Sequence, residues 1–138
     1  MIAAIQLQIT TTGNGDVVDI THRVAEAVLS TGMQDGIVTV FSPSATSGLT
    51  TIEYEPGAVR DFQRLFDEIV PPARDYAHNE RWGDGNGHSH VRAALVGPSI
   101  TIPFVNRKLT LGTWQQIILV DFDTRPRQRR LHLQLLGE

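Results

Sequence analysis

The sequence predicts an α+β fold: a largely antiparallel sheet, or sheets, with two main helices and a short third helix packed on one side. Segments with strand patterns outnumber segments with helical patterns. Several connections between the strand segments are too short to hold a crossover helix, which favours antiparallel pairing. Two segments place apolar residues at helical spacing and end at helix-stop signals. We therefore predict a single domain over residues 1–138.

The amino-terminal part of the chain predicts a strand, a helix and two further strands. Residues 3–11 alternate apolar and polar side chains, which is typical of a strand with one buried face. Asp19 can cap the helix that follows, and Gly32 stands where a left-handed residue commonly ends a helix. Apolar β-branched residues predict a strand over 37–41, and another over 49–55 after a loop rich in Ser and Thr.

A second helix is predicted between two proline signals. Pro56 and Gly57 open this helix, and Pro71 with Pro72 ends it abruptly. Its apolar side chains fall on one face at helical spacing: Val59, Phe62, Leu65, Phe66 and Ile69. This face predicts contact with a sheet.

The remainder of the chain predicts a loop, a short helix and a series of strands. Residues 76–89 are polar and contain three glycines, so we expect a loop there. A short helix from about His90 to Leu95 is expected to end at Gly97-Pro98. Later segments with strand patterns cover residues 99–104, 109–111, 114–122 and 129–136.

Composition and charge narrow the functional classes. The formal net charge is -3, whereas duplex-binding domains are usually basic, so we predict no nucleic-acid partner. Four arginines near the carboxyl terminus are interpreted as solvated charges on a strand rather than a phosphate track: Arg125, Arg127, Arg129 and Arg130. The chain has no cysteine, so any metal must be held by His, Asp, Glu or Asn.

The sequence carries no recognisable targeting or membrane signal. Residues 1–12 lack a basic region and alternate like a strand, which is not the pattern of a signal peptide. No apolar run approaches the length that crosses a bilayer. We therefore predict a cytoplasmic protein with no membrane partner.

Histidines are concentrated in one short segment. His78, His88 and His90 fall within thirteen residues, a density typical of imidazole sites for a metal or an anion. If the chain is extended after Asn86-Gly87, His88 and His90 share a face, whereas in a helix they would lie about 200° apart. His78 could then complete three nitrogen ligands for zinc. The alternative is that single histidines cap helices, as His90 could do.

A hydroxyl-rich loop is the second candidate element. Ser44, Thr46 and Thr50 belong to a Ser/Thr-rich stretch that could cradle a phosphate through hydroxyls and backbone N–H groups. No lysine follows Gly48, so the stretch is not a P-loop and an ordinary Ser/Thr turn is the alternative.

Two further elements carry candidate groups. Glu53 and Glu55 would share one strand face, where they could hold Mg²⁺ or act as a base, or simply face solvent. Trp114 and Gln115 follow a Gly-Thr pair, and the tryptophan could wall a pocket or belong to the core.

Taken together, these segments resemble the YjbQ family, also known as secondary thiamine-phosphate synthases. The resemblance covers nearly the whole chain. Its motifs are Thr50–Gly57, Tyr76–His78, Asn86–Ala93 and Leu111–Gln116. One position departs from the family pattern, because many members carry a histidine where this chain has Ser44.

The resemblance implies a compact α+β domain that assembles as a homotrimer, with the histidine segment lining a pocket for zinc or an anion. It also implies a transferase that joins a pyrimidine methyl diphosphate to a thiazole phosphate and releases pyrophosphate, a reaction typically aided by Mg²⁺. The family-matching groups expected to act are His78, His90 and Glu53. Asn86, Trp114 and Gln115, with the hydroxyl residues, are expected to bind the phosphorylated ligand.

Three hypotheses follow from these patterns. The first is the transferase acting on phosphorylated thiamine precursors. The second is a zinc hydrolase or lyase in which three imidazoles lower the pKa of bound water towards about 7. The third is a trimeric binding protein that captures a phosphorylated metabolite without catalysis.

Overall fold

Two antiparallel sheets form the scaffold of the protein, and a computed structural model describes residues 1–138. The larger sheet has five strands in the order β1-β8-β3-β5-β6. These strands are β1 (Ile2–Thr11), β3 (Gly36–Phe41), β5 (Ser99–Val105), β6 (Lys108–Leu109) and β8 (Arg127–Gly137). All its pairings are antiparallel, so the α+β class predicted from the sequence is confirmed.

The smaller sheet contains one strand that the sequence pattern did not reveal. Its order is β2-β7-β4, with β2 (Asp16–Asp19), β4 (Ser47–Ile52) and β7 (Gln116–Asp121). A strand of four residues is too short to show alternation, and we had predicted a turn and a helix start there. The central strand β7 pairs on both edges, which accounts for its continuous run of apolar residues.

Four helices accompany the sheets, one more than predicted. They are α1 (Thr21–Thr31), α2 (Pro56–Ile69), α3 (Ala77–Trp82) and α4 (Gly87–Val96). The predicted loop over 76–89 therefore holds α3 and the start of α4. Because α3 has only six residues, it offers no apolar period for a sequence pattern to detect.

The ends of the two longer helices follow the predicted signals. Gly32 ends α1 in the left-handed conformation with φ 74°, as expected. Asp19 binds the N–H and hydroxyl of Thr21, although the capping position itself is Ile20. Glu55 caps α2 by accepting from two backbone N–H groups, which ends β4 at Ile52 rather than at residue 55.

The central strand β7 divides the hydrophobic interior into two cores. Ile117 and Leu119 point into the core between the sheets, which also contains α1. Ile118 and Val120 point to the opposite face, where α2 and α4 pack together on one side. The domain therefore has three layers, and α4 is held directly against the smaller sheet.

The outer face of the larger sheet is not covered by any other element of the chain. Ile2, Leu136, Ile37 and Pro103 lie opposite one another across four neighbouring strands, and all four are exposed. None of the helices has the length and apolar character that spanning a membrane requires.

Candidate functional site

The histidine segment folds as the first turn of α4 rather than as extended chain. Residues two apart on a helix differ by about 200°, so His88 and His90 point to opposite sides and the predicted shared strand face is wrong. Gly87 allows this arrangement, because α4 begins in close contact with α3. A Cβ at Gly87 would lie 2.5 Å from the Cβ of Tyr76. The Gly87 N–H donates to Asn79 Oδ1 at 2.8 Å.

His90 pairs with His78 instead of His88. The two imidazole centroids are 4.3 Å apart and the rings are tilted by 41°. His78 belongs to α3, so this pair links α3 to the start of α4. The Nδ1 atom of His78 lies 3.4 Å from Asp84 Oδ1 but makes no hydrogen bond. The structure thus brings together two of the three predicted histidines.

A small cavity lies between the hydroxyl-rich loop and α4, and we call it the Ser44–His90 cavity. Its volume is about 310 Å³. The residues that line it are Ser44, Ala45, Ser47, His90, Ala93, Ala94 and Pro98. One wall therefore contains the Ser44 hydroxyl and the other contains the His90 imidazole. No acidic side chain lines the cavity, so nothing in its walls repels an anion.

The loop that carries Ser44 is fixed from behind by Thr46. The Thr46 hydroxyl donates to Asp123 Oδ2 at 2.9 Å and accepts from Arg129 at 2.7 Å. Ser42 and Ser47 share a buried hydroxyl contact of 2.8 Å at the base of the loop. The Thr46 hydroxyl is thus engaged within the protein, and its contact with a phosphate stays a prediction.

Asp123 is the acceptor at the centre of this arrangement. Burial alone would raise the pKa of Asp123. The pKa is nevertheless below its usual value, because the carboxylate is stabilised by the Arg125 backbone N–H, the Thr46 hydroxyl, the Asn86 side chain and the charge of Arg127. Asn86 is 8% exposed and does not line the cavity. Its role in ligand binding stays a prediction.

His88 occupies the interior side of α4. It is 6% exposed, its ring centroid lies 6.3 Å from that of Tyr76, and its Nδ1 has no hydrogen-bond partner. Burial lowers the pKa of His88, and the charge of Arg92 lowers it further. The Asp67 carboxylate and the Gly85 backbone raise it by smaller amounts. His88 is therefore a neutral ring at physiological pH and belongs to the packing of α4.

The other predicted site residues lie away from the cavity. Strand β4 starts at Ser47 and ends at Ile52, so Glu53 lies about 20 Å from Ser47 along the chain. Thr50 is a half-buried residue within this strand and does not line the cavity. Trp114 is 73% exposed, and Gln115 binds Thr51 Oγ1 at 3.2 Å, at that same distant end. None of these four residues lines the cavity.

The residues do not fit the metal sites that we expected. His88 faces away from His78 and His90, and no group of three His, Cys, Asp or Glu side chains gathers in an arrangement for a metal ion. Glu53 and Glu55 do not share a strand face, because both follow β4 and Glu55 caps α2. On one chain, therefore, neither the zinc set nor the magnesium site is formed.

Sequence reasoning missed the buried ionic groups behind the cavity. Asp121 and Asp123 are 0% and 3% exposed, and Arg129 forms two hydrogen bonds with Asp121, at 2.7 and 2.8 Å. Our interpretation of Arg129 as a solvated charge was wrong. A signal was present in the sequence, since two carboxylates flank Phe122 at the end of an apolar strand, where they need a partner.

The fold and the cavity together define a class: a small α+β domain of two packed antiparallel sheets, with an imidazole and hydroxyl cavity where α4 meets the smaller sheet. The family model described as "UPF0047 protein YjbQ-like" matches residues 5–138. The chain belongs to the YjbQ family, which confirms the resemblance drawn from its motifs.

Individual relatives are similar over nearly their whole length. A UPF0047 protein of Methanothermobacter thermautotrophicus is 35% identical, with 96% of this chain and 91% of the relative aligned. The UPF0047 protein YugU of Bacillus subtilis is 34% identical, with 95% and 97% aligned. The crystal structure of a YbjQ-like protein of unknown function from Sulfolobus solfataricus superposes with a TM-score of 0.94 at 30% identity, covering 100% and 99% of the two chains. A YjbQ/UPF0047 protein of Clostridium acetobutylicum superposes with a TM-score of 0.87 at 37% identity, covering 96% and 99%.

Proposed function

We propose that the protein binds a phosphorylated small molecule in the Ser44–His90 cavity and acts as a transferase of the secondary thiamine-phosphate synthase type. The observation that carries the first part is the composition of the walls: the Ser44 hydroxyl on one side and His90 on the other, with no carboxylate. Hydroxyl and imidazole N–H groups are donors that suit phosphate oxygens. The second part rests on the family resemblance.

The proposed reaction requires the cavity to stabilise a negatively charged leaving group. Joining the pyrimidine methyl group to the thiazole nitrogen expels pyrophosphate, so negative charge develops on the leaving oxygen. Donors already held in place stabilise such charge without reorganising. The Ser44 hydroxyl and His90 would donate to the phosphate oxygens. His78 would orient His90 through the ring contact at 4.3 Å.

The catalytic proposal is tested by supplying both precursors with Mg²⁺ and measuring thiamine phosphate by fluorescence after oxidation. We expect product from the wild-type protein and at least a tenfold lower rate for His90→Ala, a loss of the size expected when one positioned donor is removed. His22→Ala is a matched control, because His22 is an exposed histidine of α1 whose ring contacts only Glu26. No product from the wild type, while a known synthase is active in parallel, would end the proposal.

A second candidate is a binding protein that captures a phosphorylated metabolite without turnover. The position of Glu53 favours it, because the carboxylate expected to act as base or magnesium ligand lies outside the cavity. Thermal unfolding with added thiazole phosphate distinguishes the two candidates. Stabilisation that is lost in His78→Ala and His90→Ala, together with no product, supports binding alone.

We also propose that the protein assembles as a homotrimer in the cytoplasm. The exposed apolar row of Ile2, Leu136, Ile37 and Pro103 on the larger sheet is a surface that a second copy would cover. Light scattering after size exclusion should give three times the chain mass for the wild type and a smaller mass for Ile37→Lys. A wild-type mass equal to one chain would contradict the assembly.

A further inference from the structure

A buried ionic cluster lies where β7 and β8 meet the hydroxyl-rich loop. Asp121 is fully buried, and the side chain of Arg129 is 13% exposed. The Arg129 guanidinium donates from Nε and Nη2 to the two carboxylate oxygens of Asp121, which is the bidentate geometry that arginine favours. Buried ion pairs add little net stability, because desolvation offsets their attraction. The cluster therefore calls for a role other than stability.

The cluster reaches the first wall of the Ser44–His90 cavity through one hydroxyl. The Nη2 of Arg129 donates to Thr46 Oγ1 at 2.7 Å, and Thr46 Oγ1 donates to Asp123 Oδ2 at 2.9 Å. The backbone of Thr46 is held as well, since its carbonyl accepts from the Phe122 N–H at 2.9 Å. Thr46 in turn fixes Ser44, because the Thr46 N–H donates to Ser44 Oγ at 3.2 Å.

The same segment holds the second wall. Ser89 of α4 donates its hydroxyl to the Phe122 carbonyl at 2.5 Å. Ser89 directly precedes His90. Residues 122–123 are therefore tied on one side to the loop of Ser44 and on the other to the helix of His90.

We infer that Arg129 is a positioning residue for the Ser44–His90 cavity: by binding Asp121 and Thr46 together, it sets the separation between the Ser44 loop and His90. Arg129 does not line the cavity and touches no ligand there. The functional meaning of this inference rests on the proposed phosphate site, but the positioning itself is a property of the free protein. A lysine at position 129 keeps the charge but cannot span both Asp121 oxygens and Thr46.

The test compares Arg129→Lys and Thr46→Val with a matched control, Arg92→Lys. Arg92 is also buried, and it holds α4 to α2 by donating to the Val70 carbonyl at 3.0 Å and to Asp67 at 3.1 Å. Native-state hydrogen exchange of the free protein is read at the Thr46, Phe122 and Ser89 amides. We expect at least tenfold faster exchange there in both cluster variants, and unchanged exchange in the control.

Thr46→Ser supplies a second control, because it keeps the hydroxyl and should restore slow exchange. Inorganic phosphate affinity is then measured by calorimetry, with about a tenfold weaker Kd expected for Arg129→Lys and none of this loss for Arg92→Lys. Unchanged exchange in Arg129→Lys, or equal acceleration in Arg92→Lys, overturns the inference. Accelerated exchange together with no phosphate binding by the wild type supports the positioning role and refutes the proposed function.

Discussion

Replacing Gly87 by alanine tests whether the close contact between α4 and Tyr76 sets the position of His90. In a helix this change normally stabilises a protein by about 0.5–1 kcal/mol, because glycine loses more backbone entropy on folding. At this position the new Cβ would lie 2.5 Å from Tyr76 Cβ and 2.9 Å from Tyr76 Cγ. Tyr76 cannot retreat freely, since its hydroxyl donates to the Pro71 carbonyl at 2.7 Å.

The two effects oppose each other, and the steric one is larger. Overpacking of this kind costs about 1–3 kcal/mol, so we expect a net loss of about 1–2 kcal/mol in the free energy of unfolding. In a chain of 138 residues this loss lowers Tm by about 3–7 °C. Because α3 and α4 must move apart, the contact between His78 and His90 should loosen, and phosphate binding should weaken with it.

Urea denaturation followed by circular dichroism measures the change, with Gly57→Ala as the matched control. Gly57 lies in the first turn of α2, where a new Cβ would lie 3.0 Å from the two Glu55 carboxylate oxygens; a shift of a few tenths of an ångström relieves this contact and keeps both cap hydrogen bonds. The control should be as stable as the wild type or up to about 1 kcal/mol more stable. If Gly87→Ala matches the wild type in both midpoint and slope, α3 and α4 have room to separate and the reasoning fails.

Three further predictions follow from the same structure. Because the pKa of His88 is lowered in the folded state, the unfolded chain binds more protons than the folded protein as the pH falls below 6.5. The free energy of unfolding should therefore decrease with acidification in that range. Urea titrations at several pH values should show a shallower decrease for His88→Gln than for the wild type. Phe122 is 2% exposed between the smaller sheet and α2, so Phe122→Ala should lower the unfolding free energy by about 3–5 kcal/mol, and a loss below about 1 kcal/mol would contradict its place in the core. Trp82 lies one helical turn after His78, whereas Trp114 lies at the distant end of β4. Thiazole phosphate should therefore alter the fluorescence of the Trp114→Phe protein, which keeps Trp82. It should leave the fluorescence of the Trp82→Phe protein, which keeps Trp114, unchanged.

The elements with strong periodicity were predictable from the sequence. The apolar face of α2 repeats over several turns, and the alternation of β1 and β8 repeats over several residue pairs. Such patterns do not depend on any single residue and therefore predict the element well. Strand β2 and helix α3 have four and six residues, and tertiary contacts decide their conformation. For β2 these contacts are its pairing with β7, which no local pattern in residues 16–19 announces.

The site was predictable in part, for a different reason. The motif Asn86–His90 contributes His90 to the cavity, and the rings of His78 and His90 do meet. The sequence could not show that Gly87 would start a helix, since glycine between Asn and His is equally typical of a turn. That single difference in backbone conformation separates His88 from the other two imidazoles and removes the expected zinc set.

Each residue of the Asn86–His90 segment contacts a different part of the molecule. The Asn86 N–H donates to Asp84, Gly87 lies against Tyr76, and His88 packs on the buried side of α4. Ser89 binds the Phe122 carbonyl, and only His90 lines the cavity. Most polar residues of this segment therefore hold the first turn of α4 against the rest of the protein, and only one faces the cavity. It follows that substitutions at the first four positions will alter binding indirectly, through the placement of His90. Within this segment, only variants of His90 test direct contact with a ligand.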